Sequence, residues 1–275
     1  MNNDPENFLE LVIRVSVQAG QEIMKIYSTD FDVEIKDDQS PLTVADKNAN
    51  SVITEALLKT RLPILSEEGK QIPYNERSAW DRFWMVDPLD GTKEFIKKNG
   101  EFTVNIALIE KNAPSIGVIF APALGTLYFG SPSTGSWIIK DAAAKVTALN
   151  NEDKFLKRLC MLGKQLPVND SKRSYTAVAS RSHLNEDTSK FIEQLRNEHG
   201  EVNFISSGSS LKICLVADGS ADVYPRLAPT MEWDTAAGQA IALHAGCKVE
   251  QYVSKSPVVY NKEDLLNPFF VVTRS

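Results

Sequence analysis

From Phe8 to Tyr27 the apolar positions Phe8, Leu11, Val12, Val15, Ala19 and Ile23 recur at steps of three and four, which gathers them on one face of an α-helix. A second helix is expected just after Ser40-Pro41-Leu42-Thr43, with Ala49, Val52, Ile53, Ala56 and Leu57 at the same spacing and an end before Pro63. The period then changes. Phe83 to Val86 is a short apolar strand that runs into Asp87-Pro88-Leu89-Asp90-Gly91-Thr92, where a short helix opens. Phe102, Val104, Ile106 and Leu108 alternate with polar or small neighbours, the pattern of a half-buried strand. Ile116–Phe120, Thr126–Phe129 and Trp137–Lys140 follow at close spacing with Pro, Gly and Ser between them, which predicts an antiparallel meander. The first half therefore reads as helices on a mostly antiparallel sheet.

Between Asp141 and Ser174 the pattern is polar and less regular, so a boundary is expected there, giving lobes of 1–145 and 146–275. Beyond it strands and helices alternate. Strands are expected at Thr176–Ser180, Val202–Ser206, Ala221–Tyr224 and Pro268–Thr273, and helices at Asn185–His199, Ser209–Ala217 and Asp234–Ala245. That half reads as an α/β layer.

Composition narrows the classes. With 275 residues, 43% hydrophobic and 24% charged, the chain can bury a large core. A net charge of −6 argues against polymeric nucleic acid as a partner, because that needs a broad basic surface. It leaves room for a small anion met by a few local cations or a metal. No run approaches the ~18 apolar residues of a membrane span, and Met1-Asn2-Asn3-Asp4-Pro5-Glu6 has the wrong chemistry for a secretory signal. Cys160, Cys214 and Cys247 are widely spaced and odd in number, which suits a reducing cytoplasm. Nothing in the pattern sets an oligomeric state.

The chemistry concentrates after the first strand. Asp87 and Asp90 stand three residues apart with Pro88 stiffening the turn, and Gly91 allows close backbone approach. Thr92 then opens a helix whose free N–H groups favour an anion. Carboxylates beside an anion-binding helix end make sense with cations between them. Oxygen ligands without a nearby His or Cys indicate Mg²⁺ rather than zinc. The same two aspartates would also serve as plain turn and helix caps. Glu67-Glu68 reads equally as solvated surface, Asp234 as a helix cap, and Thr43 as a cap that leaves Asp46 free.

Taken in order, Thr43-x-x-Asp46, Ser66-Glu67-Glu68, Asp87-Pro88-Leu89-Asp90-Gly91-Thr92 and Trp233-Asp234-Thr235-Ala236-Ala237-Gly238 resemble the inositol monophosphatase superfamily over nearly the whole chain. Lys93–Ile96, Asn99–Asn105, Ser180–His183, Gly208–Lys212 and Tyr224–Arg226 resemble its bacterial bisphosphate nucleotidase branch. The resemblance implies a layered αβαβα fold with the active site between the lobes. It implies a phosphatase using two or three Mg²⁺ held by Glu67, Asp87, Asp90, Asp234 and the carbonyl of Leu89, and sensitive to lithium. Asp46, Glu67 and Thr92 would activate the attacking water. Leu89, Asp90, Gly91, Thr92, Asp234, Ser180, His183, Ser209, Lys212 and Arg226, with Arg181 nearby, would meet a small phosphorylated nucleotide. An inositol or sugar monophosphatase shares this metal site, and a catalytically dead nucleotide or Mg²⁺ sensor would have lost part of it. Cys247, following Gly246, stands where the superfamily has a smaller residue.

Overall fold

The computed structural model describes residues 4–29, 41–150, 152–168, 173–179 and 186–274. Asp4 caps α1 (Pro5–Tyr27) by accepting the Glu6 N–H at 3.0 Å, with Pro5 in the first turn where its missing donor costs nothing. Then come α2 (Pro41–Leu58), β1 (Ile64–Ser66), α3 (Tyr74–Arg77), β2 (Arg82–Asp90), α4 (Thr92–Ile96), β3 (Thr103–Glu110), β4 (Ala113–Ala121), β5 (Thr126–Ser131), β6 (Gly135–Ile139), α5 (Ala142–Ala148), α6 (Phe155–Met161) and β7 (Lys164–Gln165). The remainder is β8 (Thr176–Val178), α7 (Glu186–His199), β9 (Asn203–Ile205), α8 (Leu211–Ala217), β10 (Val223–Arg226), α9 (Glu232–His244), β11 (Lys248–Gln251) and β12 (Phe270–Thr273).

Strands β1 to β7 form one sheet in chain order, antiparallel except for the parallel pair β1–β2. A second sheet has the order β11-β12-β10-β8-β9, antiparallel at β11-β12-β10 and parallel at β10-β8-β9. Three apolar clusters stack these sheets into five layers. α1 and α2 lie on the outer face of the first sheet, around Phe8, Val12, Trp84, Val104, Ile106 and Phe120. α8 and α9 fill the space between the sheets, with Met85, Ile119, Ile213, Ile241 and Val272. α7 covers the outer face of the second sheet through Ile192 and Leu195. The αβαβα layering expected from the resemblance is present.

The half-burial expected of β3 is corrected. Val104, Ile106 and Leu108 face the helical layer, while Ala107 and Ile109 on the other side are equally buried. The small residues that looked like a solvent face pack under α9, which arrives from the far end of the chain. Strands β1 and β11 were not anticipated, because three or four residues carry too little periodicity to register. The irregular stretch after Asp141 contains α5, α6 and β7. Val146, Phe155 and Leu159 join the outer core of the first sheet, and β7 pairs with β6.

The contact between α9 and the first sheet matters most for the site. Gly117 on β4 lies so close to the helix that a Cβ there would sit 2.2 Å from the Ala237 carbonyl oxygen and 2.8 Å from the Ala240 Cβ. The obstacle is backbone, which cannot rotate away. Gly117→Ala should therefore push α9 off the sheet and cost about 1–3 kcal/mol. Urea unfolding checks this, and an unchanged midpoint would show that α9 does not rest on β4.

Candidate active site

The carboxylates come together through strand register. Parallel pairing sets Ser66 opposite Val86, so the next residues, Glu67 just past β1 and Asp87 still within β2, come side by side. The Glu67 N–H still donates to the Val86 carbonyl at 3.1 Å. In β2 the ladder to β3 breaks between Asp87 and Asp90. Pro88 has no N–H to give to a ladder there, and the Leu89 N–H donates to Asp87 Oδ1 at 3.1 Å. Gly91 turns the chain with a φ of 96°, and a Cβ on it would meet Glu101 O and Phe102 Cα at 3.2 Å. α4 then starts at Thr92, whose exposed hydroxyl hydrogen-bonds no other side chain among the described residues. From the middle layer, Asp234 occupies the first turn of α9, where Oδ2 accepts the Met231 N–H at 2.9 Å. The cap reading of Asp234 is thus correct, and it leaves the second oxygen available.

One carboxylate oxygen each from Glu67, Asp87 and Asp234 lies within 4.8 Å of the others. Asp46 on α2 adjoins them, with Oδ1 buried and unpaired. Asp87 is 1% exposed. Loss of water raises its carboxyl well above the ordinary range, with the charges of Asp90, Glu67, Asp234 and Asp46 adding to the shift. Burial, then Glu68 and Glu67, lift Asp46 to about 8. Burial and Asp90 lift Asp234 to about 7. Glu67 reaches in from the surface, and its carboxyl is raised by desolvation and by Asp90. Two unit charges this close repel by roughly 3–4 kcal/mol at an effective dielectric constant of about 20. Protons or a cation must offset that. An all-carboxylate donor set with an orphaned buried oxygen fits a hard divalent cation.

Asp90 points differently from its neighbours. Its Oδ2 accepts from Ser209 Oγ at 2.5 Å, the Ser210 N–H at 2.6 Å and Asn105 Nδ2 at 3.4 Å. A cleft of about 260 Å³ opens beside it, lined among others by Asp90, Gly91, Ser209, Lys212, Arg226 and Asp234. Lys212 is 9% exposed, with Nζ donating to the Ser209 carbonyl at 2.6 Å; burial lowers its pKa, and Arg226 adds to that. Arg226 is braced by Thr230 Oγ1 and by the Pro229 carbonyl, the latter at 2.8 Å.

The structure thus brings Asp46, Glu67, Asp87, Asp90 and Asp234 to one place, with Gly91, Ser209, Lys212 and Arg226 along the adjoining cleft. Ser180, Arg181 and His183 lie outside the described residues. Sequence reasoning gave no role to Glu68, which stands against Asp46, or to Thr103, Asn105 and Ser210, which surround Asp90. The only signal for the latter three was their place in the Asn99–Asn105 and Gly208–Lys212 segments.

The profile of the inositol monophosphatase family matches residues 4–269, and the chain belongs to that family. Within it, the 3′(2′),5′-bisphosphate nucleotidase CysQ of Salmonella typhimurium is 44% identical over 269 residues, which cover 96% of this chain and 99% of that protein. The protein of the same name from Haemophilus influenzae is 33% identical, covering 97% and 93%. The crystal structure of CysQ from Bacteroides thetaiotaomicron, a bacterial member of the family, matches with a TM-score of 0.92 and 48% identity over 99% of both chains. An inositol monophosphatase from Zymomonas mobilis shares the fold, with a TM-score of 0.72 at 19% identity over 98% and 92% of the two chains.

Without metal, Asp46 and Asp234 retain protons that an unfolded chain, titrating near pH 4, has already released. Between about pH 4 and 8 the folded state binds more protons than the unfolded one, so its stability falls as pH rises. In EDTA the melting temperature should therefore drop between about pH 5.5 and 8, and Mg²⁺ should raise it more at the higher pH, where it no longer competes with protons. Calorimetry in the two buffers tests this, and a pH-independent melt in EDTA would contradict it.

Proposed function

We propose that the protein is a Mg²⁺-dependent phosphatase that converts adenosine 3′(2′),5′-bisphosphate to AMP and phosphate, with 3′-phosphoadenylyl sulfate as a second candidate substrate. The observation that carries this reading is near full-length similarity to proteins named 3′(2′),5′-bisphosphate nucleotidase, at 44% identity in one case. A carboxylate cluster that opens into a cleft bearing Lys212 and Arg226 supports it.

In this reading Glu67, Asp87, Asp90, Asp234 and the Leu89 carbonyl would hold two or three Mg²⁺ ions, which when bound would supply positive charge for the phosphate oxygens and lower the pKa of a water. Thr92 Oγ1 orients that water, and a carboxylate oxygen of Asp46 or Glu67 accepts its proton. The Gly91 and Thr92 N–H groups hold a non-bridging phosphate oxygen as charge builds on it. The water oxygen bonds to phosphorus while the bond to the 3′ (or 2′) oxygen breaks in line, and that oxygen leaves as a sugar hydroxyl after taking up a proton. Lys212 and Arg226 meet the phosphate that stays. The resemblance also assigns Ser180 and His183 to substrate contact, and the cytoplasm is the compartment that suits the three free thiols.

Phosphate release from adenosine 3′,5′-bisphosphate and from inositol 1-phosphate, each with Mg²⁺, EDTA or Mg²⁺ plus lithium, tests the reading. Mg²⁺-dependent, lithium-sensitive release mainly from the bisphosphate is expected. Preference for inositol phosphate would overturn the substrate, and no release from either would favour a sensor. Lys212→Ala should cut kcat/KM for the bisphosphate by about tenfold or more, the value of one charge-assisted contact. Its effect on a monophosphate should be much smaller, and equal losses on both substrates would count against the assignment of Lys212.

A further inference from the structure

Two of the sequence segments that carry the resemblance, 99–105 and 208–212, meet in space. Glu101, Thr103 and Asn105 occupy alternate positions leading into and along β3, so their side chains share one side of the strand. Facing them are three consecutive residues, Gly208, Ser209 and Ser210, in the turn that leads into α8. The contacts run in step along both segments. The Gly208 N–H donates to Glu101 Oε2 at 2.9 Å. Thr103 Oγ1 lies 2.6 Å from Ser209 Oγ and 2.8 Å from Ser210 Oγ. Asn105 Oδ1 accepts from Ser210 Oγ at 2.8 Å and from Thr103 Oγ1 at 2.9 Å.

Thr103, Asn105 and Ser210 are 0%, 1% and 4% exposed, so water cannot replace a lost partner. Gly208 has no room for a side chain, since a Cβ there would lie 2.5 Å from Glu94 Cγ and 3.0 Å from the Glu101 carbonyl oxygen. Ser209 is held at a φ of 55°, a conformation that a non-glycine residue keeps only under external constraint. These contacts converge on Asp90 Oδ2, which takes Ser209 Oγ, the Ser210 N–H and Asn105 Nδ2. A carboxylate only accepts, so Ser209 spends its single hydroxyl proton there, and the one Thr103 hydroxyl proton is shared between Ser209 Oγ and Asn105 Oδ1 as alternative acceptors.

We propose that Glu101, Thr103 and Asn105 are positioning residues that form a clasp between the first sheet and the 208–210 turn. The clasp fixes the Asp90 carboxylate and, through the same turn, the Lys212 side chain that donates to the Ser209 and Ser207 carbonyls. One set of hydrogen bonds thereby holds the cation side of the cleft and its nucleotide side in a single register. The nucleotide part of this inference rests on the proposed function, whereas the Asp90 part does not.

Thr103→Val removes the hydroxyl at nearly constant shape, and Thr103→Ser keeps it. Calorimetric titration of the substrate-free protein with Mg²⁺ or Mn²⁺ reads the cation side, and kcat and KM for the bisphosphate read the other. Thr103→Val should weaken cation binding and raise KM for the bisphosphate, each about tenfold, with Thr103→Ser within about twofold of the parent on both. Cation binding by Thr103→Val equal to the parent's, or Thr103→Ser as impaired as Thr103→Val, would overturn the clasp. If Thr103→Val does not fold, Glu101→Gln, which weakens the bond to the Gly208 N–H at the half-exposed end, takes its place with the same expected directions. A parent protein that binds the cation but leaves the bisphosphate intact would defeat the proposed function, and the titration would still decide the clasp.

Discussion

Carboxylates crowded where two layers meet are the constraint around which this molecule is built. Glu67 and Asp87 are forced side by side by the parallel β1–β2 register, and Asp234 is brought to them on the first turn of a helix from the opposite end of the chain. Their repulsion, roughly 3–4 kcal/mol for a pair at this distance, exceeds the ~1 kcal/mol net return of an ordinary hydrogen bond. The fold therefore holds a local arrangement that it does not itself favour. The surrounding layers supply the difference, since Asp87 sits among some of the most deeply buried strands in the protein.

That support has a definite geometry. α9 lies against β4 and β5 at backbone distance because Gly117 and Gly130 present no side chain to it. The small residues Ala236, Ala237 and Ala240 complete the close approach, so Asp234 is placed by a rigid contact rather than by a loop. The other end of the same segment is equally fixed. Glu232 is fully buried and accepts the Asn261 and Lys262 N–H groups, while the Asn267 side chain donates to the Met231 carbonyl. The helix start that carries Asp234 is thus tied on both sides, the rigidity that a precise site needs.

Membership of the inositol monophosphatase family and the convergence of this carboxylate cluster both point toward metal-assisted phosphate chemistry. The adjoining cleft, to which the proposed function gives selectivity, takes Lys212 and Arg226 from the second sheet's side and Gly91 from the first. A pocket built across such a junction depends on the register of its two walls. The hydrogen bonds between β3 and the 208–210 turn cross that junction beside Asp90.

Much of this was legible along the chain. The helical period of α1 and α2, the meander of β3 to β6, and the Asp-Pro-Leu-Asp-Gly-Thr turn are local patterns, because side-chain spacing and turn chemistry act over a few residues. The carboxylates were picked out as a set only through the resemblance that their motifs carry, since Glu67 and Asp234 read singly as surface and cap. Other features belong to the tertiary structure alone. The second buried face of β3 exists only because α9 covers it, and Ala107 carries no sign of that in its own neighbourhood. β1 was too short to show a period, yet its register sets Glu67 against Asp87. Thr103, Asn105 and Ser210 read singly as ordinary strand and turn residues. Their burial and their contact with Asp90 arise from segments about a hundred residues apart, and only the packed fold brings those together.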